Sequence, residues 1–280
     1  MYFFRREKVQ CRYQFSLRDA VDITLLQRAL TTALASAPYY TQRLVQEKRE
    51  MWLEPNTEPC LVYHGSTMHN IPEQTNGYLF CISCEGDTVY FDWHHFLLDG
   101  HGVSPLFTSI LEQYCNLRYG TAFAVQQIVC DPPYDMQAML AEYPPVEAGS
   151  DAIQRDVVQT YEGALRRTRV CLSKQSLVEK ALANNAKPVS ALMSLLCMAM
   201  REYLGKEKIQ YSYSSDTRDV AGVPHALYNC VCSFEHTVQL QAKTRLADLV
   251  SDIDADIKRD LQPQSKRRRM TEQMGWVYKV

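Results

Sequence analysis

Four short stretches in the first half of the chain have the pattern of β-strands. Residues 10–17 alternate between polar and apolar side chains, and residues 61–64, 78–84 and 88–93 are short stretches rich in β-branched, aromatic and other apolar side chains. The last two stretches are separated by Glu85-Gly86-Asp87, a sequence typical of a hairpin turn. The pattern therefore predicts a sheet whose last hairpin ends just before residue 94.

Two segments of the same half have apolar residues at the spacing of an α-helix. Asp22 favours a helix N-cap, and apolar residues recur at helical spacing over 26–37 until Pro38 ends the helix. A second helix is predicted from about 105–118, with Gly120 as its C-terminal stop. Strands and helices in this order predict an α/β chain, an α+β sandwich with mixed sheets flanked by helices.

The second half repeats the alternation after a segment rich in proline. The predicted elements are a strand at 168–172, a helix capped by Ser173, a helix at 189–204, strands at 208–214 and 229–239, and a helix through 246–257. No helix or strand is predicted after residue 261. The predicted organisation is an N-terminal lobe at 1–130, a Pro-containing connection at 131–160, a partial second lobe at 161–261 and a polar basic tail at 262–280.

Composition narrows the class of protein. The formal net charge of the 280 residues is -2, which removes the electrostatic signature of a nucleic-acid binder, and the basic run at 266–269 is expected to be a solvated charge run. No stretch is long and apolar enough to predict a membrane span, and the N-terminus lacks a secretory signal pattern. A cytoplasmic protein is therefore expected.

Cysteine usage fits a reducing compartment. The ten cysteines are scattered through apolar strands and helices, so most are expected to be small buried side chains. Cys81-x-x-Cys84 resembles a metal-binding spacing, but it lies in a predicted strand, where positions three apart point to opposite faces. We therefore expect no metal there.

The segment His94-His95-Phe96-Leu97-Leu98-Asp99-Gly100 is the strongest candidate for chemistry. Transfer of an acyl group from a thioester to an alcohol or amine needs a base near neutral pH, and histidine suits this role. Strand alternation predicts that only one of the two histidines faces a cavity. Gly100 is expected to let the backbone bend where a side chain would clash. Two other interpretations remain open from spacing alone: an ordinary core or surface histidine, and a metal site that would also use His101.

The motif His-His-x-x-x-Asp-Gly at a strand end, followed by an amphipathic helix, resembles the chloramphenicol acetyltransferase-like superfamily, which includes condensation domains and alcohol O-acetyltransferases. Weaker similarity covers residues 22–44 and 214–231. The resemblance implies two similar lobes, His95 as general base, and His94, Asp99 and Gly100 as support. It also offers Arg43 and Arg218 as ion-pair partners of Asp99 or as supports of the substrate tunnel.

The resemblance further implies no permanently bound cofactor. The co-substrate would be an acyl-CoA or phosphopantetheine thioester, and the acceptor a small molecule, an alcohol or, in a condensation-type reaction, a carrier-bound amine. A non-catalytic binding or assembly module is the remaining alternative. Relatives continue their second lobe past the equivalent of Leu261, so a truncated second lobe is expected, with a carrier protein or a chain that supplies the missing part as a candidate partner.

Overall fold

A computed structural model gives the fold of the chain in two compact units. It describes residues 10–48, 50–95, 97–125, 127–142 and 171–278. The units are residues 1–134 with 221–231, and residues 135–220 with 232–280. Residues 168–170 of the predicted strand and most of the predicted connection lie outside the described residues, and residues 171–172 are described without strand structure. Residues 221–231, which were expected in the second lobe, belong to the first unit.

The first unit is built on a four-stranded sheet. Its elements are β1 (Gln10–Ser16), α1 (Ile23–Ala35), a 3-10 turn (Pro38–Tyr40), β2 (Gln42–Glu47), β3 (Glu50–Pro55), β4 (Val62–His64), β5 (Phe80–Glu85), β6 (Thr88–His94) and α2 (Gly100–Tyr119). The strand order is β1-β6-β5-β4, with β4 parallel to β5 and the other pairs antiparallel. Strands β2 and β3 form a separate hairpin. This hairpin was not predicted.

One face of this sheet packs on α1 and α2. The N-cap of α1 is Asp22, as predicted, and its Oδ1 accepts from the amides of Thr24 at 2.9 Å and Leu25 at 3.1 Å. Aromatic rings fill the space between sheet and helices: Phe91 stacks on Phe80 with ring centroids 5.5 Å apart. Since alternate residues of β6 belong to this core, the strand that ends in the motif is fixed along its whole length.

The second unit combines helices with a two-stranded sheet. Its elements are α3 (Met136–Glu142), α4 (Lys174–Ala183), α5 (Pro188–Leu204), β7 (Lys208–Asp216), α6 (Arg218–Ala221), β8 (Val231–Gln239), α7 (Leu246–Asp260) and α8 (Pro263–Tyr278). The last residue of α6 and the first of β8 are assigned to the first unit. Strand β7 pairs with β8, and α7 packs on α5. Ser173 caps α4 as predicted, its Oγ accepting from the amide of Ser176 at 3.2 Å.

Two expectations about helices are corrected. Helix α2 begins at Gly100, five residues before the predicted start, because Asp99 acts as its N-cap. Residues 263–278 form helix α8, where a polar tail without regular structure was expected. No helix in the described part of the chain is long and apolar enough to cross a membrane.

The basic run at 266–269 holds α8 in place, which corrects its interpretation as a solvated charge run. Lys266 is buried and its Nζ lies 2.5 Å from Asp219 Oδ1. Arg269 Nε donates to the carbonyl of Ser233 at 2.5 Å. Arg268 is exposed. Sequence patterning misses this helix because charged residues make several of its tertiary contacts.

Candidate functional site

The motif residues lie in the connection between β6 and α2. Strand β6 ends at His94, a turn follows, and Asp99 is the N-cap of α2 with its Oδ1 accepting from the amide of Gly102 at 2.8 Å. This bond satisfies a backbone donor that a helix start leaves without an intrahelical partner. A short turn between a buried strand and a buried helix therefore holds His95.

Asp99 also joins the motif to a distant part of the first unit. Its Oδ2 accepts from the amide of Cys230 at 2.9 Å, and the Asp99 side chain is almost fully buried. One carboxylate thus bonds to the first turn of α2 through one oxygen and to residues 227–230 through the other. Hydrogen bonds to a carboxylate are stronger than those between neutral groups, so this contact fixes where the distant segment lies.

Backbone contact between α2 and the same segment depends on Gly102. A Cβ built on Gly102 would lie 1.9 Å from the carbonyl oxygen of Leu227, whereas one on Gly100 would lie 3.3 Å from the side-chain hydroxyl of Tyr13. A main-chain oxygen cannot rotate away, so Gly102 is required for this approach. The sequence pointed to Gly100 as the glycine that avoids a clash. The structure assigns that constraint to Gly102.

The ring of His95 is partly buried and contacts Asn229. Asn229 Nδ2 lies 3.1 Å from Nδ1 of His95 and donates to the main-chain carbonyl of the same histidine, also at 3.1 Å. Asn229 was placed by sequence within the similar stretch 214–231, but no role was predicted for it. Its distance of 134 residues from His95 explains why spacing gave no signal.

His94 occupies a different environment from His95. It is the last residue of β6 and only 1% exposed, and strand alternation places it on the face of Asp92. Arg12 on β1 pairs with Asp92, with Nε to Oδ1 at 2.6 Å and Nη2 to Oδ2 at 2.7 Å. Asp92 beside His94 is therefore already bound by an arginine.

The two predicted arginines differ in their surroundings. Arg43 lies on β2 and pairs with Glu54 on β3, with both Nε (2.8 Å) and Nη2 (2.5 Å) on Oε1, so Glu54 and not Asp99 is its ion-pair partner. This pairing corrects the ion-pair expectation for Arg43, and its alternative role as a support of the tunnel stays a prediction. The guanidinium of Arg218 is buried in the second unit and its Nη1 lies 3.1 Å from Asp216 Oδ1. A pairing of Arg218 with Asp99 stays a prediction.

The sequence also raised metal and thiol chemistry, at the motif and at Cys81-x-x-Cys84 on β5. Among the described residues no group of three or more His, Cys, Asp or Glu side chains could hold a metal ion. Cys81 and Cys84 are both buried, and burial together with nearby Asp92 raises the pKa of Cys81 to about 12. A thiol with such a pKa stays protonated at neutral pH and is a poor nucleophile or metal ligand.

Comparison with known proteins gives matches in structure and none in sequence. No protein-family profile and no curated protein matches the chain. Polyketide synthase associated protein 5 from Mycobacterium tuberculosis superposes with a TM-score of 0.70 at 20% identity, over 92% of this chain and 71% of that one. The first condensation domain of the calcium-dependent antibiotic synthetase, solved with a substrate analogue, gives 0.64 at 15% identity, over 94% and 71%.

A third solved structure is the starter condensation domain of rhizomide synthetase in complex with C8-CoA. It superposes with a TM-score of 0.61 at 13% identity, over 94% of this chain and 67% of that one. Sequence identities this low establish a shared fold and nothing finer. The superpositions confirm the mixed α/β architecture expected from the sequence. The chain has the condensation-domain-like, chloramphenicol acetyltransferase-like fold.

Proposed function

We propose that this chain transfers an acyl group, acetyl being the first candidate, from a CoA-type thioester to an alcohol in the cytoplasm. His95 is the general base: it takes the proton of the hydroxyl as the oxygen attacks the thioester carbonyl. Collapse of the tetrahedral intermediate breaks the C–S bond, and the leaving thiolate takes the proton from His95. No cofactor is needed beyond the thioester.

The observation that carries the proposal is the way in which His95 is held. The turn between β6 and α2 positions its backbone, and Asn229 contacts both its carbonyl oxygen and its ring. Asp99 accepts hydrogen bonds from the amide of Gly102 in α2 and from the amide of Cys230, the residue after Asn229. Its role is therefore to support the backbone around His95 rather than to bind the ring. A partly exposed histidine held by hydrogen-bond contacts is an arrangement suited to proton transfer to a bound substrate.

Condensation-type amide formation on carrier-bound substrates is the second candidate. It is favoured by the similarity to condensation domains of peptide synthetases, at TM-scores of 0.64 and 0.61. The two reactions share the fold and differ in donor and acceptor. In this case the partners are phosphopantetheine-bearing carrier proteins, and the acceptor is an amine.

The test measures thiol release. The purified chain is given acetyl-CoA and longer acyl-CoA esters with a panel of small alcohols, and separately carrier proteins loaded with aminoacyl phosphopantetheine. Thiol release that depends on an alcohol supports the first candidate, and strict dependence on the loaded carrier supports the second. A folded chain with no turnover of either kind contradicts both and leaves a binding module.

Replacement of the base provides the specific control. His95→Ala is expected to lower kcat/KM by about 100-fold or more, the usual size of a general-base contribution. His64→Ala changes an exposed histidine on β4 of the same unit and is expected to leave kcat/KM unchanged. Equal activity of His95→Ala and wild type in folded protein would refute the assignment of His95.

A further inference from the structure

The side-chain amide of Asn229 has only one orientation that satisfies its neighbours. Its Oδ1 accepts from the amide of Val231 at 3.2 Å, and its Nδ2 donates to the carbonyl oxygen of His95 at 3.1 Å. Exchange of the two atoms would place oxygen against the carbonyl and the NH2 group against an N–H donor. Both contacts would become repulsive, so the orientation is fixed by two independent hydrogen bonds.

This orientation determines what Asn229 offers to the ring of His95. Nδ2 carries two protons, and one of them is used by the carbonyl of His95. The second is available to Nδ1 of His95, 3.1 Å away. An N–H donor needs an acceptor with a lone pair, so Nδ1 is unprotonated in this contact. A neutral imidazole with a bare Nδ1 carries its proton on Nε2.

We propose that Asn229 is a positioning residue that holds neutral His95 as the tautomer protonated at Nε2, so that the contact must break before Nε2 can act as a base. The change of tautomer alters only N–H bonds: Nδ1 takes a proton from water and Nε2 gives one to water. The second part of this proposal rests on the proposed general-base function, since only a base requires the free lone pair at Nε2.

The tautomer can be read directly from ¹⁵N NMR of histidine-labelled protein at a pH where the ring is neutral. A protonated ring nitrogen resonates well upfield of an unprotonated one, and the loss of one set of signals in His95→Gln assigns them. We expect Nε2 of His95 to have the shift of a protonated nitrogen and Nδ1 that of an acceptor. The opposite pattern in the wild-type protein would overturn the proposal.

Variants of Asn229 change the tautomer in a predictable direction. Asn229→Asp replaces the donor with an acceptor, so the proton is expected to move to Nδ1. Asn229→Ala removes the donor, and the ¹⁵N resonance of Nδ1 is expected to move part of the way toward that of a protonated nitrogen. This variant keeps the test available if the aspartate variant folds poorly. Asn116→Asp, the same chemical change on α2 where the side chain bonds to Thr121 and Phe123, is the matched control and should leave both shifts unchanged.

Kinetics test the second part of the proposal. Asn229→Asp removes the need to break the hydrogen bond at Nδ1 of His95, and it loses the bond to the His95 carbonyl in common with Asn229→Ala. Its kcat/KM for thiol release is therefore expected to exceed that of Asn229→Ala by about three- to tenfold. A kcat/KM equal to or lower than that of Asn229→Ala, with Nδ1 shown to be protonated in the aspartate variant, would refute the release step. A wild-type protein without any turnover would refute the proposed function and leave the NMR result on the tautomer intact.

Discussion

Replacement of Gly102 by alanine tests how the site is held together. The new Cβ would lie 1.9 Å from the carbonyl oxygen of Leu227, so either the backbone distorts or α2 separates from residues 227–230. Added volume in a packed interior costs about 1–3 kcal/mol, and contact with a fixed main-chain atom belongs at the upper end. Separation would instead break the bond from the Cys230 amide to Asp99, worth about 1.5–3 kcal/mol for a charged acceptor.

The intrinsic preference of a helix for alanine offsets part of this cost. Glycine to alanine within a helix stabilises by about 0.5–1 kcal/mol. The net expectation for Gly102→Ala is a loss of about 2 kcal/mol in the free energy of unfolding. Gly100→Ala is the matched control, because its Cβ meets only a side-chain hydroxyl at 3.3 Å, and it should be neutral or slightly stabilising.

Urea unfolding followed by tryptophan fluorescence measures the difference, since Trp93 lies in the core of the first unit. Hydrogen exchange of the amides at 227–230 reports separately whether the segment has detached, and faster exchange is expected in Gly102→Ala alone. Unfolding free energies of the two variants within about 0.5 kcal/mol of each other would refute the steric reasoning.

Two further predictions concern the second unit. Burial acts to raise the pKa of Asp254, but hydrogen bonds from the Lys187 amide, Lys258 and Ser190 outweigh it and hold the pKa below its usual value. A carboxyl group whose pKa is lowered on folding stabilises the folded state at pH values above the pKa that it has in the unfolded chain. The difference in unfolding free energy between wild type and Asp254→Asn should therefore disappear as the pH falls below about 4. A difference that is independent of pH would contradict this. Lys266→Ala should lower the midpoint of thermal unfolding and cost about 1–3 kcal/mol, because its buried ammonium pairs with Asp219, whereas Arg268→Ala at an exposed position should stay within about 0.5 kcal/mol of wild type. Equal effects of the last two changes would show that the run is solvated after all.

Local signals in the sequence predicted much of the secondary structure. The cap at Asp22, the cap at Ser173 and the left-handed stop at Gly120 are all present in the structure, because each depends on residues within a few positions. The hairpin formed by β2 and β3 and the helix α8 were missed. Helix α8 makes its contacts through Lys266 and Arg269, and periodicity methods that count apolar residues cannot recognise a face stabilised by buried charge.

The sequence by itself determined that His95 and Asp99 fall on one short connection between a strand and a helix. Only the tertiary structure decided how they are held: Asn229 reaches His95 across 134 residues, and the amide of Cys230 reaches Asp99 across 131. It also moved the steric requirement from Gly100 to Gly102. Contacts between distant segments depend on how helices and strands pack, and the spacing of residues along the chain carries no information about that approach.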